Sequence, residues 1–411
     1  MKKKLLAIAV AGALAAPLAA FAQTSVTIYG RANLSLDTWK ATGATAGSAS
    51  DFNRRNRVVD SGSRLGFRGT EDLGGGMRAY FVMEAGVNMD TGGATGQSGG
   101  VNASTGSLAT RDSFVGLAGN WGEVSWGRQS MFWANGLNEQ TGANYINMSV
   151  AGILTGHGMV AAPVARQSNV FYYTSPRLAG MWDIAVGYSP TSEAATAGTG
   201  AVGTTSVTGD KVWNLNVKFR TGPWYAQYDW AKRTNNTTAT VPAAGVVSAR
   251  EIKGNKIGVS YGYAPGSRFA VIYQDLRNNN VLAVAGIGNT VVGATATASG
   301  NNIRVPMWLF NLEHSIGPWQ LLAGYLQAGN VRGASGVDTS NTKANAWHLG
   351  AKYNFSKRTG IYGTYNTVRN QSNAFADQSG GGVSSAGAAG LGAANEGADL
   401  KVWAFGLMHN F

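Results

Sequence analysis

QSMFWANGLNEQTGANYINMSVAGILTGHGMVAAPVAR, residues 129–166, is the stretch on which the fold turns. It lies between two strand-like segments, Gly122-Glu-Val-Ser-Trp-Gly-Arg128 and Ser168-Asn-Val-Phe-Tyr-Tyr-Thr-Ser175, and has no clear period of its own. A connection of this length inside a compact fold is usually functional or disordered. Met131, Phe132, Trp133, Tyr145, Ile146 and Met148 give this one apolar surface to pack. The expectation is a segment that folds into the middle of a β-barrel and narrows a water-filled bore.

Working outward, the flanking chain repeats one unit: a short alternating strand, a tight turn, a second strand, a longer polar loop. In Ser25-Val-Thr-Ile-Tyr-Gly-Arg-Ala-Asn-Leu-Ser-Leu36, Val26, Ile28, Leu34 and Leu36 share a face. Leu65 and Phe67 oppose Arg64 and Arg68, and Met77, Phe81 and Met83 oppose Arg78, Tyr80 and Glu84. A polar, glycine-rich loop is expected from about residue 37 to residue 53, and another from about 88 to 110. Sixteen strands are expected, at about 25–36, 63–70, 77–87, 111–119, 122–128, 167–176, 181–190, 211–220, 224–232, 252–263, 268–277, 303–314, 319–328, 344–355, 359–369 and 398–411. An even number of strands with short and long connections alternating is the pattern of an outer-membrane barrel. Trp121, Trp182, Trp224 and Trp319 fall at or just after short turns, so they read as one aromatic girdle at the headgroup boundary. The fold class is therefore all-β, a 16-stranded antiparallel transmembrane barrel.

The ends and the composition agree. Lys2, Lys3 and Lys4, the apolar run Leu5 to Ala16 and the small-x-small site Ala20-Phe-Ala22 read as a cleavable signal peptide over residues 1–22. Residues 23–411 form the barrel. Without the three lysines, 30 basic residues stand against 21 acidic ones, a formal charge of +9. An exported chain without cysteine must be held together by means other than disulfides. After the first segment no apolar run reaches the roughly 18 residues of a helical span. The last strand places Trp403, Phe405, Leu407 and Phe411 on one face, like the C-terminal signal of bacterial outer-membrane proteins.

Several motifs, taken together and in order, resemble the general porins of Gram-negative bacteria, most closely the β-proteobacterial branch. They are Val26-Thr-Ile-Tyr-Gly30, Ser63-Arg-Leu-Gly-Phe-Arg-Gly-Thr-Glu-Asp-Leu-Gly-Gly-Gly76, Phe114-Val-Gly-Leu117, Trp126-Gly-Arg-Gln129, Tyr173-Thr-Ser-Pro176 and His409-Asn-Phe411. The resemblance covers essentially the whole mature chain. It implies a homotrimer of sixteen-stranded barrels in the outer membrane, each with a pore constricted by its third outer loop, here residues 129–166. It also implies a basic ladder on the wall facing acids at the constriction. Carried over residue by residue, the basic side is Arg31, Arg64, Arg111 and Arg166, and the acidic side Glu84 and Glu139. The family's loop usually carries more than one acid in its middle. Only Glu139 lies in this one, which tilts the expected field toward positive. Alternation supports the arginines independently, because an arginine turned into lipid at midplane costs a few kcal/mol.

The function expected is passive diffusion of small hydrophilic solutes and ions, with anions favoured. The alternative is a substrate-selective channel for organic acids or phosphate-type anions, and an outer-membrane enzyme or adhesin is a third reading. His157, His314, His348 and His409 are scattered without ligand spacing, so neither metal nor cofactor is expected. There is no phosphate loop, and no basic cluster that would suit nucleic acid. The partners expected are two further copies of the chain, outer-membrane lipids and lipopolysaccharide, and small anions.

Overall fold

The computed structural model describes residues 25–44, 52–90, 94–95, 108–132, 160, 162–163, 166–190, 211–234, 248–283, 301–333, 339–374, 376 and 397–411. The proposed signal peptide, Glu139, His157 and most of the long loops lie outside the described residues.

The chain forms one closed antiparallel sheet. Its first strands are β1 (Ser25–Thr42), β2 (Phe52–Asp60), β3 (Arg64–Gly74), β4 (Met77–Val87), β5 (Ala94–Thr95), β6 (Ser113–Gly119), β7 (Gly122–Ser130), β8 (Arg166–Thr174) and β9 (Trp182–Ser189). The remaining wall is β10 (Lys211–Thr221), β11 (Trp224–Thr234), β12 (Ser248–Ala264), β13 (Ser267–Ala283), β14 (Asn301–Ile316), β15 (Trp319–Ala328), β16 (Ala344–Asn354), β17 (Thr359–Asn370) and β18 (Asp399–Asn410). β2 and β3 both pair with β1 and together make one staved strand. β5 is a two-residue rung on β4. Sixteen barrel strands result, and β1 closes the cylinder on β18. No described helix is long and apolar enough to cross a membrane.

Alternation assigns the two faces. On β1, Val26, Ile28 and Leu36 are exposed while Asn33, Ser35 and Asp37 are buried. On β18, Trp403, Phe405 and Leu407 are exposed. Such an extent of exposed apolar surface marks an interaction face, and here it is the lipid band. The expected girdle is present. Trp182, Trp224 and Trp319 project outward and pack on Phe219, Tyr261 and Tyr353, with ring centroids 4.7, 4.7 and 4.9 Å apart. A second girdle, which sequence reading did not anticipate, runs nearer the long-loop end. Tyr188 and Trp213, Tyr273 and Trp308, Tyr325 and Trp347, and Tyr365 and Trp403 pair at 4.2–4.7 Å. On β10 the two belts are separated by Leu215 and Val217, roughly 20 Å along the strand.

Beyond that second girdle the polarity of the faces reverses. On β1, Thr38 and Lys40 point outward while Trp39 and Ala41 point in and are buried. Ile252, Leu276, Ile303, Val305, Leu400 and Val402 also face in, between the outward Lys253, Arg277, Arg304 and Lys401. The strands thus continue past the lipid into the polar zone. This corrects the strand limits expected from sequence. β1 runs to Thr42, and Phe52–Asp60 is a strand lying between the loop expected to end near residue 53 and the strand expected from 63. Alternation persists there, but with the opposite sign. The inner wall is also divided along its length. Toward the short turns the inner wall carries Asn33, Asn311, Glu313, Lys352 and Thr364. Toward the long loops it carries an apolar cluster.

The short turns rely on backbone that only glycine adopts freely. At the β3–β4 turn, Gly74, Gly75 and Gly76 have φ of 78°, 61° and 77°, and Asp72 Oδ1 accepts the Gly74 N–H at 2.8 Å. Closure has a similar device on the lipid side. Phe411 exchanges backbone hydrogen bonds with Gly30 at 3.0 and 3.1 Å, and its ring lies over Gly30. A Cβ at Gly30 would strike that ring and stand 2.6 Å from the Arg64 carbonyl. Gly30→Val should therefore displace the terminal ring and destabilise the seam by about 1–3 kcal/mol. The expected outcome is a lower refolding yield and a lower temperature for loss of the folded band on unboiled gels. An unaltered transition would show that the ring is not part of the closure.

Candidate pore constriction

The basic residues expected from sequence come from neighbouring staves at one place on the wall. β1 carries Tyr29 and Arg31 inward, and Arg64 stands directly opposite Arg31 in the ladder. Arg64 is placed by a break between β2 and β3. Asp60 Oδ1 accepts the N–H groups of Gly62 and Ser63 at 2.8 and 2.9 Å, and Gly62 has φ 87°. The chain thereby restarts as β3 with Arg64 turned inward.

Glu84 on β4 is the acceptor that gathers this group. Its Oε1 takes the Arg111 Nε–H. Its Oε2 accepts from the Tyr29 hydroxyl at 3.2 Å and lies 3.8 Å from Arg64 Nε. Arg111 is not the first residue of its strand, as sequence suggested, but stands two residues before β6. It is held there because its N–H donates to the Glu84 carbonyl at 2.9 Å. Arg166 opens β8 rather than preceding it, and pairs with Asp112 at 2.8 Å. Ser130 Oγ lies 2.9 Å from both Asp112 oxygens. Arg31 donates from Nε to Asn410 at 3.0 Å.

Sequence reasoning missed Asp112, Tyr29 and Arg128. Strict alternation would set Asp112 on the face opposite Arg111. Both precede the regular strand, so the rule does not bind them. Arg128 donates to the Thr110 carbonyl and to Ser168 Oγ, each at 2.9 Å, beside a register shift in the β7–β8 ladder. Glu139 lies outside the described residues. Within the described set, Arg64 and Arg111 pair with Glu84 and Arg166 pairs with Asp112, while Arg31 and Arg128 donate to neutral partners. Arg64 is the most open of the paired arginines, with 27% of its side chain exposed against 10% for Arg111 and 8% for Arg166.

The entry of the 129–166 segment is visible on the opposite wall. Directly after β7, Met131 and Phe132 turn inward and are fully buried in the apolar cluster with Val160, Val212, Ile252, Ile272 and Leu276. Phe132 thus reaches β12, five staves from β7. A Cβ at Gly254 would strike its ring and stand 3.0 Å from Pro163 Cγ, and a Cβ at Gly187 would meet Met131 Cε at 2.7 Å. The Phe132 carbonyl accepts from Lys256 Nζ at 2.8 Å, and the same ammonium lies 5.4 Å from the Phe132 ring centre. Lys256 is 1% exposed and pairs at 3.3 Å with Asp229, which is wholly buried. Asn216 and Gln227 donate to Asp229 as well, the latter at 2.5 Å. The charged pair is therefore dry yet well supplied with partners. Among the described residues no group of three or more His, Cys, Asp or Glu is placed to hold a metal.

Removing one member of a buried pair costs about 3–5 kcal/mol, whereas replacing both by apolar groups of similar volume is often neutral. Lys256→Met should therefore loosen the inward segment, giving a larger and noisier single-channel current. Lys256→Met combined with Asp229→Leu should restore much of the quiet behaviour. Identical current traces in the single variant and the parent would remove Lys256 from any part in holding the segment.

The chain matches, over residues 7–373, the family described as Gram-negative porin. An outer membrane porin of Bordetella pertussis is 27% identical over 388 residues, 88% of this chain and 93% of that one. Among solved structures, an anion-selective porin from Comamonas acidovorans superposes with a TM-score of 0.67 at 21% identity, covering 95% of this chain and all of the other. A trimer form of the in-vitro folded outer membrane protein OmpT of Vibrio cholerae superposes with a TM-score of 0.57 at 12% identity, over 94% and 99% of the two chains.

Proposed function

The chain belongs to the Gram-negative porins, channels of the outer membrane, and we propose that Arg31, Arg64, Arg111 and Arg166 make its bore favour small anions among the hydrophilic solutes it passes. The observation that carries this is the gathering of Arg64, Arg111 and Arg166 on two carboxylates, with Arg31 directly opposite Arg64, among the described residues of neighbouring staves. In a narrow bore with low-dielectric walls such an imbalance focuses potential and raises the local concentration of counter-ions. The segment 129–166 sets the size limit. The anion selectivity of the Comamonas porin supports the same reading by likeness of fold.

The partners follow from the same family. Two further copies of the chain would complete a trimer, as the trimer form of the Vibrio protein does. The lipid band and girdles suit outer-membrane lipids, with lipopolysaccharide on the long-loop side. Residues 1–22 would be removed on export.

A unit charge about 6 Å from a permeating ion is worth about 0.7 kcal/mol in water, a factor of about three in entry. Arg64→Gln should therefore lower anion entry about threefold at low salt, with a smaller effect near 1 M salt. Arg111→Gln should act in the same direction, because it also leaves Glu84 with Arg64 as its nearest cation. Glu84→Gln should move the ratio the other way. Reversal potentials across planar bilayers in a salt gradient measure all three, and an unchanged potential in Arg64→Gln, Arg111→Gln and Arg166→Gln together would overturn the assignment. Saturable block by one organic acid or phosphate ester would favour a substrate-selective channel instead.

A further inference from the structure

On the lipid side, just past the second aromatic girdle, five cations lie in register across neighbouring segments. Lys232 on β11 is opposite Lys253 on β12, which is opposite Arg277 on β13, which is opposite Arg304 on β14. Arg304 in turn bridges Arg332. Directly opposed residues share a face, and the outward face is fixed by Trp230, Tyr273 and Trp308 further along the same strands. Neighbouring strands lie about 4.8 Å apart, so the row spans roughly 19 Å.

Like charges directly opposite one another destabilise a sheet. Two acids offset part of the repulsion. Glu251 lies 2.6 Å from both Lys232 and Lys253. Asp275 lies 2.7 Å from Arg277 and 3.4 Å from Arg304. Five positive groups against two negative ones still leave an excess of three. The Arg277 and Arg304 side chains remain 49% and 43% exposed. The row sits at the end of the barrel where the long connections between β11 and β12 and between β13 and β14 leave the wall. In outer-membrane barrels the long loops are the extracellular ones.

Down the wall from the row the surface changes in a fixed order. First come the cations, then Trp230, Tyr273 and Trp308, then aliphatic groups such as Ile257, Val271 and Leu312. That order matches an amphiphile standing beside the barrel, with anionic head, interfacial sugar and acyl chains. We propose that this row is a binding site for the phosphate groups of a phosphorylated glycolipid of the external leaflet, lipopolysaccharide, held against the outside of the wall. The proposal gives a site to the lipopolysaccharide partnership above. It does not depend on the anion preference of the bore, so the two can fail separately.

The test titrates the full-length protein, folded in detergent, with deep-rough lipopolysaccharide and reads the bound glycolipid by native mass spectrometry. Lys253→Gln, Arg277→Gln and Arg304→Gln combined should weaken binding about a hundredfold. Lys357→Gln with Arg358→Gln, at the opposite end of the barrel, should leave it unchanged. An unaltered bilayer conductance of the triple variant shows that its barrel is intact. The parent should prefer the bisphosphorylated glycolipid to the same glycolipid stripped of phosphate. Equal affinity for the two, an unaffected triple variant, or displacement by equimolar inorganic phosphate would each overturn the proposal.

Discussion

The backbone ladder between β1 and β18 is the constraint on which everything else hangs. In hydrocarbon an unpaired N–H or C=O costs several kcal/mol, so a sheet can cross a lipid layer only by leaving no edge. Here twelve consecutive residues of β1, from Arg31 to Thr42, find partners on β18. Once the cylinder is closed, each side chain has one of two destinations. The arginines of β1 and β3 cannot sit beside Ile28 and Phe67 in lipid, so they converge on the bore. The charge cluster is thus a product of closure and alternation before it is a product of any contact among the charged groups.

Lining a cylinder with water creates a second difficulty, that of holding Met131 and Phe132, where a long connection leaves β7, against the inner wall. Apolar packing alone would let Phe132 slide along the smooth wall made by Val212, Ile252 and Ile272. The Lys256 ammonium removes that freedom because it binds one carbonyl at one height. Burying a lysine is unfavourable unless it is paired and hydrogen-bonded. Asp229, Asn216 and Gln227 meet that condition. Register specificity is the best-attested use of such buried pairs, and a segment that must stop at a defined depth in a bore has need of it.

Much of this was legible in the sequence because a barrel's two-residue period survives wherever one face meets lipid. The short turns, the Trp182, Trp224 and Trp319 girdle, and the inward Arg64 all follow from that period and from glycine. The reading stopped where the solvent changed. Trp39 and Ala41 alternate with Thr38 and Lys40 as regularly as any strand. Their apolar members face inward, though, so a search for apolar-out strands sees a loop there. Asp112 was hidden for a related reason, since the residues just before β6 obey ladder hydrogen bonds but not its alternation. Lys256 was unreadable. The second lysine of Ile252-Lys-Gly-Asn-Lys256 has no local sign that Phe132, far away in the chain, will reach it.

The reversal of polarity also explains why the molecule is basic without being uniformly so. Within the lipid band a cation can point only to the bore, and there Glu84, Asp112, Asp183 and Glu313 hold Arg64, Arg111, Arg166, Arg220 and Arg268 in ion pairs. Past the band a cation can point outward, and Lys253, Arg277 and Arg304 do. The same excess of Lys and Arg over Asp and Glu is therefore divided between two surfaces with different neighbours. The inner share faces whatever crosses the membrane. The outer share acts only on what lies beside the barrel. A single net charge read from the sequence conceals that division, because only the closed wall determines which side of the sheet each charge faces.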